Sequence, residues 1–151
     1  MDGSHDITAA RREWLGLLAC APAGRLAALC KQAGLATPFD WLRRPEVGTV
    51  MVQGRIGGTG APFNLGEVTV TRASIRLSNG EVGHGQVQGR DKLAAEWAAV
   101  VDALMQTGRA NTIRAAVLDP LAAEMAATKA TRAAKAAATK VEFFTLVRGE
   151  D

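Results

Sequence analysis

The sequence has few residues that bind metals and no segment long enough to span a membrane. Its two cysteines, Cys20 and Cys30, are ten residues apart, with no CxxC pair and no nearby histidine. This spacing does not indicate a metal site, and we interpret both residues as buried thiols. No apolar run reaches 18 residues, and residues 1–6 lack the basic and apolar segments of a secretory signal. These features predict a cytoplasmic protein with no bound metal and no membrane partner.

Charge of one sign is not concentrated anywhere in the chain. There are 18 Lys and Arg against 15 Asp and Glu, a net charge of +3. Residues 1–45 carry six basic against four acidic side chains, residues 46–90 four against three, and residues 91–151 eight against eight. Aromatic residues make up only 5 % of the chain. Nucleic-acid surfaces usually combine concentrated positive charge with stacking side chains, so the composition argues against one. It is compatible with a small anionic ligand.

Length and apolar pattern predict one α+β domain covering residues 1–151. Hydrophobic residues are 48 % and charged residues 22 % of the chain, which excludes disorder. An apolar stripe over residues 8–19 and a segment starting at Pro22 predict two N-terminal helices. Asp91 is expected to cap an amphipathic helix whose stripe begins at Leu93. Asp119-Pro120 is expected to open an alanine-rich helix with a solvated basic face.

The middle of the chain is rich in β-branched residues and glycine, which predicts an antiparallel sheet. Residues 50–56, 68–77 and 82–88 are the expected strands, and residues 141–147 an expected final strand. Asn79-Gly80 predicts a two-residue hairpin loop. The predicted architecture is therefore N-terminal helices, an antiparallel meander or hairpin sheet, C-terminal helices and a final strand.

A two-residue loop would place Ile75 opposite His84. In that register Arg72 and Arg76 share a face with glycines, which are Gly83, Gly85 and Gly89. Because glycines have no side chains, such a face must be packed closely by a helix, a partner or a ligand. We therefore include the two arginines among the candidate contacts for a phosphate group, a phosphonate group or a partner chain.

Two glycine-containing turns are further candidates for such contacts. Arg55 precedes Gly57-Gly58-Thr59-Gly60, and glycine-rich turns can direct backbone amides at phosphate. The alternative is a flexible connection between strands, and the Walker and dinucleotide fingerprints do not match. Gln88-Gly89-Arg90-Asp91-Lys92 lies between a strand and a helix N-terminus, where free amides and two cations favour anions. The alternative there is that Asp91 only caps the helix.

The sequence offers no assembled catalytic group. No Ser-His-Asp or Cys-His arrangement and no pair of carboxylates can be put together from the spacing, so no catalytic residue is assigned. His84 is interpreted as a surface or half-buried histidine of the sheet.

The motifs resemble one family when they are taken in order. They are Gln53-Gly54-Arg55-Ile56-Gly57-Gly58-Thr59-Gly60, Thr69-Val70-Thr71-Arg72-Ala73-Ser74-Ile75-Arg76-Leu77, Val87-Gln88-Gly89-Arg90-Asp91-Lys92 and residues 141–149. In order and spacing they are similar to the G subunit of the bacterial phosphonate carbon–phosphorus lyase system, the PhnG family. The resemblance covers residues 11–151. The alanine-rich residues 122–138 depart most from the family pattern.

The resemblance implies a cytoplasmic subunit of a core complex with the H, I and J subunits, which works together with the ATPase-like L subunit. In that system a phosphonate displaces the adenine of ATP, so ATP and methylphosphonate or another alkylphosphonate are substrates of the complex. The resemblance carries over no catalytic residue and no cofactor to this chain. It implies an assembly or co-catalytic role in an alpha-D-ribose 1-methylphosphonate 5-triphosphate synthase, with no nucleic-acid partner and no activity of the chain alone.

Two other classes of function stay open. One is a self-sufficient enzyme that binds a nucleotide through the Gly- and Arg-rich face, and the missing acid–base pair argues against it. The other is a nucleic-acid-binding module, and the charge balance of residues 91–151 argues against it. The subunit hypothesis accounts for a bare sheet face and an alanine-rich helix, since both suit close packing against another chain.

Overall fold

Helices flank a three-stranded antiparallel sheet. The structure, a computed structural model, describes residues 3–139, with side chains from residue 7 onward. The strand order is β1-β2-β3, which confirms the α+β class, while the expected strand at residues 141–147 lies outside the described residues. No helix in this part of the chain is both long and apolar enough to cross a membrane. The elements are α1 (Gly3–Ala19), α2 (Arg25–Gln32), β1 (Phe39–Arg55), a 3-10 turn (Ile56–Gly58), β2 (Pro62–Leu77), β3 (Val82–Gln88), α3 (Lys92–Met105), α4 (Ala110–Ile113), a π-helical segment (Arg114–Leu118) and α5 (Asp119–Ala138).

Local chemistry sets the start of α2. Gly24 takes a left-handed φ of 73° at its N-cap, and the Arg25 N–H donates to the Pro22 carbonyl at 3.0 Å. Pro22 therefore lies in the turn before α2, and the prediction that it starts the helix was wrong because Gly24 interrupts the helical path.

The two cysteines differ in exposure. Cys30 of α2 is buried, and burial raises the pKa of its thiol to about 12. Cys20 is exposed. The prediction of two buried thiols was wrong for Cys20, because this residue follows the last residue of α1 in the turn toward α2.

β1 and β2 are longer than predicted and extend past the rest of the sheet. They begin at Phe39 and Pro62, well before residues 50 and 68, and they pair along almost their whole length. Strand ends depend on the backbone partner more than on local propensity. β3 pairs with β2 only as far as the Val70–Gln88 pair. Residues 49–69 therefore form a two-stranded extension, here called the arm, and the Gly48–Val70 pair is its base.

The loop between β2 and β3 has three residues, not two. The Leu77 N–H donates to the Glu81 carbonyl at 2.9 Å, and the Gly80 N–H donates to the Leu77 carbonyl at 2.9 Å. Gly80 has a φ of 94°, as in hairpins in which a turn is followed by a left-handed residue. The predicted register was therefore wrong by one residue, and Ile75 lies opposite Gly83.

The chain's own helix α3 covers the glycines of β3. A Cβ at Gly83 would overlap the Ala99 carbonyl oxygen, and a Cβ at Gly85 would overlap that of Ala95. Of the three occupants expected for the bare face, the structure shows a helix. Ala95 and Ala99 are fully buried, so small residues on both sides let helix and sheet approach closely.

The C-terminal helical region begins earlier than predicted. Helix starts at Ala110 and passes through the π-helical segment directly before Asp119-Pro120. A proline ring clashes with the carbonyl four residues earlier in a regular helix, and here that carbonyl lies in the wider π segment. Beyond Leu121, α5 is mostly exposed, which confirms the predicted solvated face over the described residues. In α3, Leu93 is 45 % exposed and does not belong to the buried stripe.

Candidate functional site

The turn Gly57-Gly58-Thr59-Gly60 closes the tip of the arm and uses two of its amides internally. The N–H groups of Thr59 and Gly60 both donate to the Ile56 carbonyl, the second at 2.8 Å. Arg55 donates from Nη1 to the Gly60 carbonyl at 3.2 Å. This geometry favours the strand-connection interpretation, because an anion cradle needs the amides that the turn itself consumes.

The turn Gln88-Gly89-Arg90-Asp91-Lys92 is tied to β2 and capped. The Gly89 N–H donates to the Thr69 carbonyl at 2.9 Å. The Asp91 carboxylate accepts from the Ala94 N–H at 2.9 Å, which confirms the predicted N-cap. Both cations of this turn are exposed, so they are free to contact another molecule.

The structure does not bring the two turns together. Gly89 bonds to Thr69 at the base of the arm, whereas Arg55 pairs with Pro62 at its tip. The extended chain between these points spans roughly 20 Å, at about 3.3 Å per residue. A single phosphate group therefore cannot contact both Arg55 and Arg90 of one chain.

Arg72 and Arg76 lie on the sheet face opposite to the glycines of β3, so the predicted shared face was wrong. A register shift of one residue moves every side chain to the other face. Arg72 crosses over Gly48, where a Cβ would lie 2.8 Å from its Nη2. Its Nε is buried and has no hydrogen-bond partner within the described part of the chain. Arg76 is exposed.

The observed register places Ser74 beside His84, a contact that the sequence reasoning missed because it paired His84 with Ile75. Ser74 Oγ and His84 Nδ1 are 2.9 Å apart on the exposed outer face. No carboxylate within residues 7–139 bonds to the His84 ring, so this pair is not part of a Ser-His-Asp triad. In the same residues no group of three or more His, Cys, Asp and Glu is placed to hold a metal ion.

A buried carboxylate, Asp102 of α3, joins three elements. Its Oδ1 accepts from Arg11 Nε at 3.1 Å and from Trp14 Nε1 at 2.9 Å. Its Oδ2 accepts from Arg11 Nη2 at 2.7 Å and from the backbone N–H of His84 at 2.8 Å. The sequence reasoning did not single out Asp102, although a lone acid inside an apolar helix stripe is the signal of a buried, paired charge. Its role is to hold α1 and the edge of β3 against α3.

One face of the arm is almost entirely apolar. Directly paired residues share a face, and the strand alternates faces, so Val50, Val52, Gly66 and Val68 lie together on the face of Gly48. Phe63 and Leu65 join them, since a Cβ at Gly54 would lie 3.4 Å from the Phe63 ring and 3.9 Å from Leu65 Cβ. We call this surface the outer arm face; its members are Gly48, Val50, Val52, Gly54, Phe63, Leu65, Gly66 and Val68.

The other face of the arm is mixed. It carries polar side chains on both sides of Met51, and the set is Thr49, Met51, Gln53, Asn64, Glu67 and Thr69. On the outer arm face Phe63, Leu65 and Val68 are 42 %, 66 % and 40 % exposed. A contiguous apolar patch of this kind is typical of a protein that binds another chain.

Fold and arm thus define a small α+β protein with an exposed apolar face on a two-stranded arm. The family model described as "Phosphonate metabolism protein PhnG" matches residues 9–149. A protein of Rhizobium meliloti (strain 1021), named alpha-D-ribose 1-methylphosphonate 5-triphosphate synthase subunit PhnG, is 48 % identical over 143 residues, which are 95 % of this chain and 92 % of that protein. The chain belongs to the PhnG family, as the resemblance implied.

Proposed function

We propose that this chain is a subunit of an alpha-D-ribose 1-methylphosphonate 5-triphosphate synthase and acts in phosphonate catabolism. The observation that carries the proposal is the outer arm face, whose exposed apolar side chains need a covering surface from another molecule. The family match over residues 9–149 includes the whole arm. The relative named as a synthase subunit matches over nearly all of both chains.

The proposed assembly is the carbon–phosphorus lyase core complex, with the H, I and J subunits as partners and the ATPase-like L subunit as a functional companion. Its substrates are ATP and methylphosphonate, and the phosphonate displaces adenine from the ribose 5-triphosphate moiety. In this proposal the chain works in the cytoplasm, binds no cofactor and helps to assemble or complete the catalytic site of another subunit. Arg55, Arg90 and Lys92 are candidates to contact a substrate phosphate or a partner carboxylate.

Reconstitution tests the proposal. The chain, carrying an affinity tag, is co-expressed with the H, I and J subunits, and adenine release from ATP with methylphosphonate is measured after adding the L subunit. We expect co-purification, adenine release by the full set, and loss of release when this chain is omitted.

Two results would contradict the proposal. The first is full adenine release by the other subunits without this chain. The second is steady adenine release by this chain alone at enzymatic rates of about 1 s⁻¹ or more, which would identify a self-sufficient enzyme.

A further inference from the structure

The outer arm face ends at a positive charge that forms no ion pair within residues 7–139. At the base of the arm, Arg72 lies over Gly48, and its buried Nε has no hydrogen-bond partner within residues 7–139. The acid opposite Arg72 in the sheet is Glu46, which instead bonds to Arg43, with Nε and Oε1 3.5 Å apart. Arg72 therefore borders the apolar surface, and no carboxylate of residues 7–139 pairs with it.

Within the described part of the chain the arm also has no second layer over residues 62–68. Helix α3 packs on the part of β2 that faces Gly83 and Gly85, whereas residues 62–68 of β2 are all exposed. A two-stranded ribbon is marginally stable in water unless a third element packs on its apolar face. Of the three glycines of the face, Gly48 is covered by Arg72 and Gly54 by Phe63 and Leu65, whereas at Gly66 no atom lies within 4 Å of where a Cβ would be. An approaching surface can therefore contact the backbone itself at Gly66.

From these observations we propose that the outer arm face is the surface by which this chain docks onto another subunit of the synthase, and that the docking surface of that subunit is apolar with a carboxylate opposite Arg72. An arginine binds a carboxylate through two parallel hydrogen bonds, so a carboxylate that reaches the Arg72 guanidinium would neutralise its charge and set the position of the arm. The family match over residues 9–149 and the relative named as a synthase subunit favour another subunit over a second copy of this chain as the occupant. The inference rests on the proposed function for the identity of the assembly.

A matched pair of variants tests the face. Leu65→Glu and Met51→Glu each place a charge at an exposed apolar position of the arm, 66 % and 53 % exposed, on the outer and on the other face. We expect Leu65→Glu to abolish co-purification with the H, I and J subunits and Met51→Glu to retain it. Both variants should keep the circular dichroism spectrum and melting temperature of the unchanged chain, because neither position is buried.

Arg72→Gln tests the charge. It removes the guanidinium and keeps a polar side chain, and we expect the affinity for the partner to fall about tenfold or more, a loss that corresponds to about 1.4 kcal/mol. The effect should shrink as salt rises, since charge pairing is screened. Equal affinity of Arg72→Gln and the unchanged chain would overturn the carboxylate assignment.

The outcomes separate this inference from the proposed function. Co-purification of the unchanged chain together with binding by Leu65→Glu would overturn the docking face and leave the proposed function standing. Equal loss of binding by Leu65→Glu and Met51→Glu would overturn the assignment to the outer face. Failure of the unchanged chain to co-purify would refute the proposed function itself. A dimer of the isolated chain that Leu65→Glu dissociates, seen by light scattering, would replace the partner subunit by a second copy.

Discussion

Removing the carboxylate of Asp102 should destabilise this protein more than removing any exposed acid. The side chain is fully buried, and its two oxygens accept hydrogen bonds from Arg11, Trp14 and the His84 backbone. In Asp102→Ala the indole N–H of Trp14 and the amide of His84 lose their acceptor. Arg11 loses the only acid that it pairs with in the described residues.

The magnitude follows from the geometry. Breaking a buried ion pair by deleting one partner costs about 3–5 kcal/mol. A buried donor left without an acceptor costs about 1–3 kcal/mol. The Arg11 side chain is 30 % exposed and can regain bonds to water, so the two remaining donors carry much of the loss. We expect the free energy of unfolding to fall by about 3–5 kcal/mol, against a total of about 5–15 kcal/mol for a typical domain.

The isosteric change Asp102→Asn sharpens the prediction. Each carboxylate oxygen faces two donors, Arg11 and Trp14 at Oδ1, and Arg11 and His84 at Oδ2. Whichever way an asparagine amide is turned, its NH₂ group meets donors rather than acceptors. Asp102→Asn should therefore destabilise the protein nearly as much as Asp102→Ala, although it leaves no cavity.

Urea unfolding followed by circular dichroism measures these losses, with the slope m compared between variants. Asp91→Ala is the matched control on the same helix, because it deletes only the cap bond to Ala94 and should cost about 1 kcal/mol. If Asp102→Ala loses no more stability than Asp91→Ala, the reasoning about a buried, shared carboxylate is refuted.

Three further outcomes are expected. Iodoacetamide at pH 7.5 should alkylate Cys20 in the folded chain and Cys30 only after unfolding, as read by mass spectrometry, because burial raises the Cys30 pKa to about 12. Gly85→Ala should lower the melting temperature and cost about 1–3 kcal/mol, since its Cβ would overlap the backbone of α3; an unchanged melting temperature would contradict this packing. Arg25 holds the pKa of Glu124 below its usual range through a hydrogen bond, so the stability that this pair contributes is present at neutral pH and is lost as acid protonates Glu124. Arg25→Ala should raise the pKa of Glu124, as followed by NMR titration of its carboxyl group. The same Glu124 pKa in the variant and in the unchanged chain would disprove the pairing.

Much of the helical structure was predictable because it depends on neighbours in sequence. The Asp91 cap bonds to an amide three residues away, and Gly34 ends α2 with a left-handed φ of 62°. The carboxylate of Asp102 could not be placed in the same way. Its donors come from α1 and β3, which lie far from it in the chain, and no local pattern shows which elements will meet.

The hairpin shows where local information stops. Asn79-Gly80 correctly predicts a reversal, and Gly80 takes the expected left-handed conformation. Loops of two and three residues both satisfy this signal, yet they differ by one residue in register and therefore in every side chain's face. In the observed register Gly83 and Gly85 pack beneath α3, and Arg72 and Arg76 lie on the opposite face.

The residue pattern by itself determined the fold class, the main helices, the existence of the hairpin and the family, because each of these depends on short-range spacing or on motifs in fixed order. Only the tertiary structure decided which sheet face is bare. That choice depends on whether α3 can approach the backbone at Gly83 and Gly85. This long-range contact fits the register of the three-residue loop, whereas Asn79-Gly80 alone is compatible with loops of two and three residues. Residues 62–68 of the arm stay exposed within the described part of the chain, so the surface proposed for a partner lies on the outer arm face and not on β3.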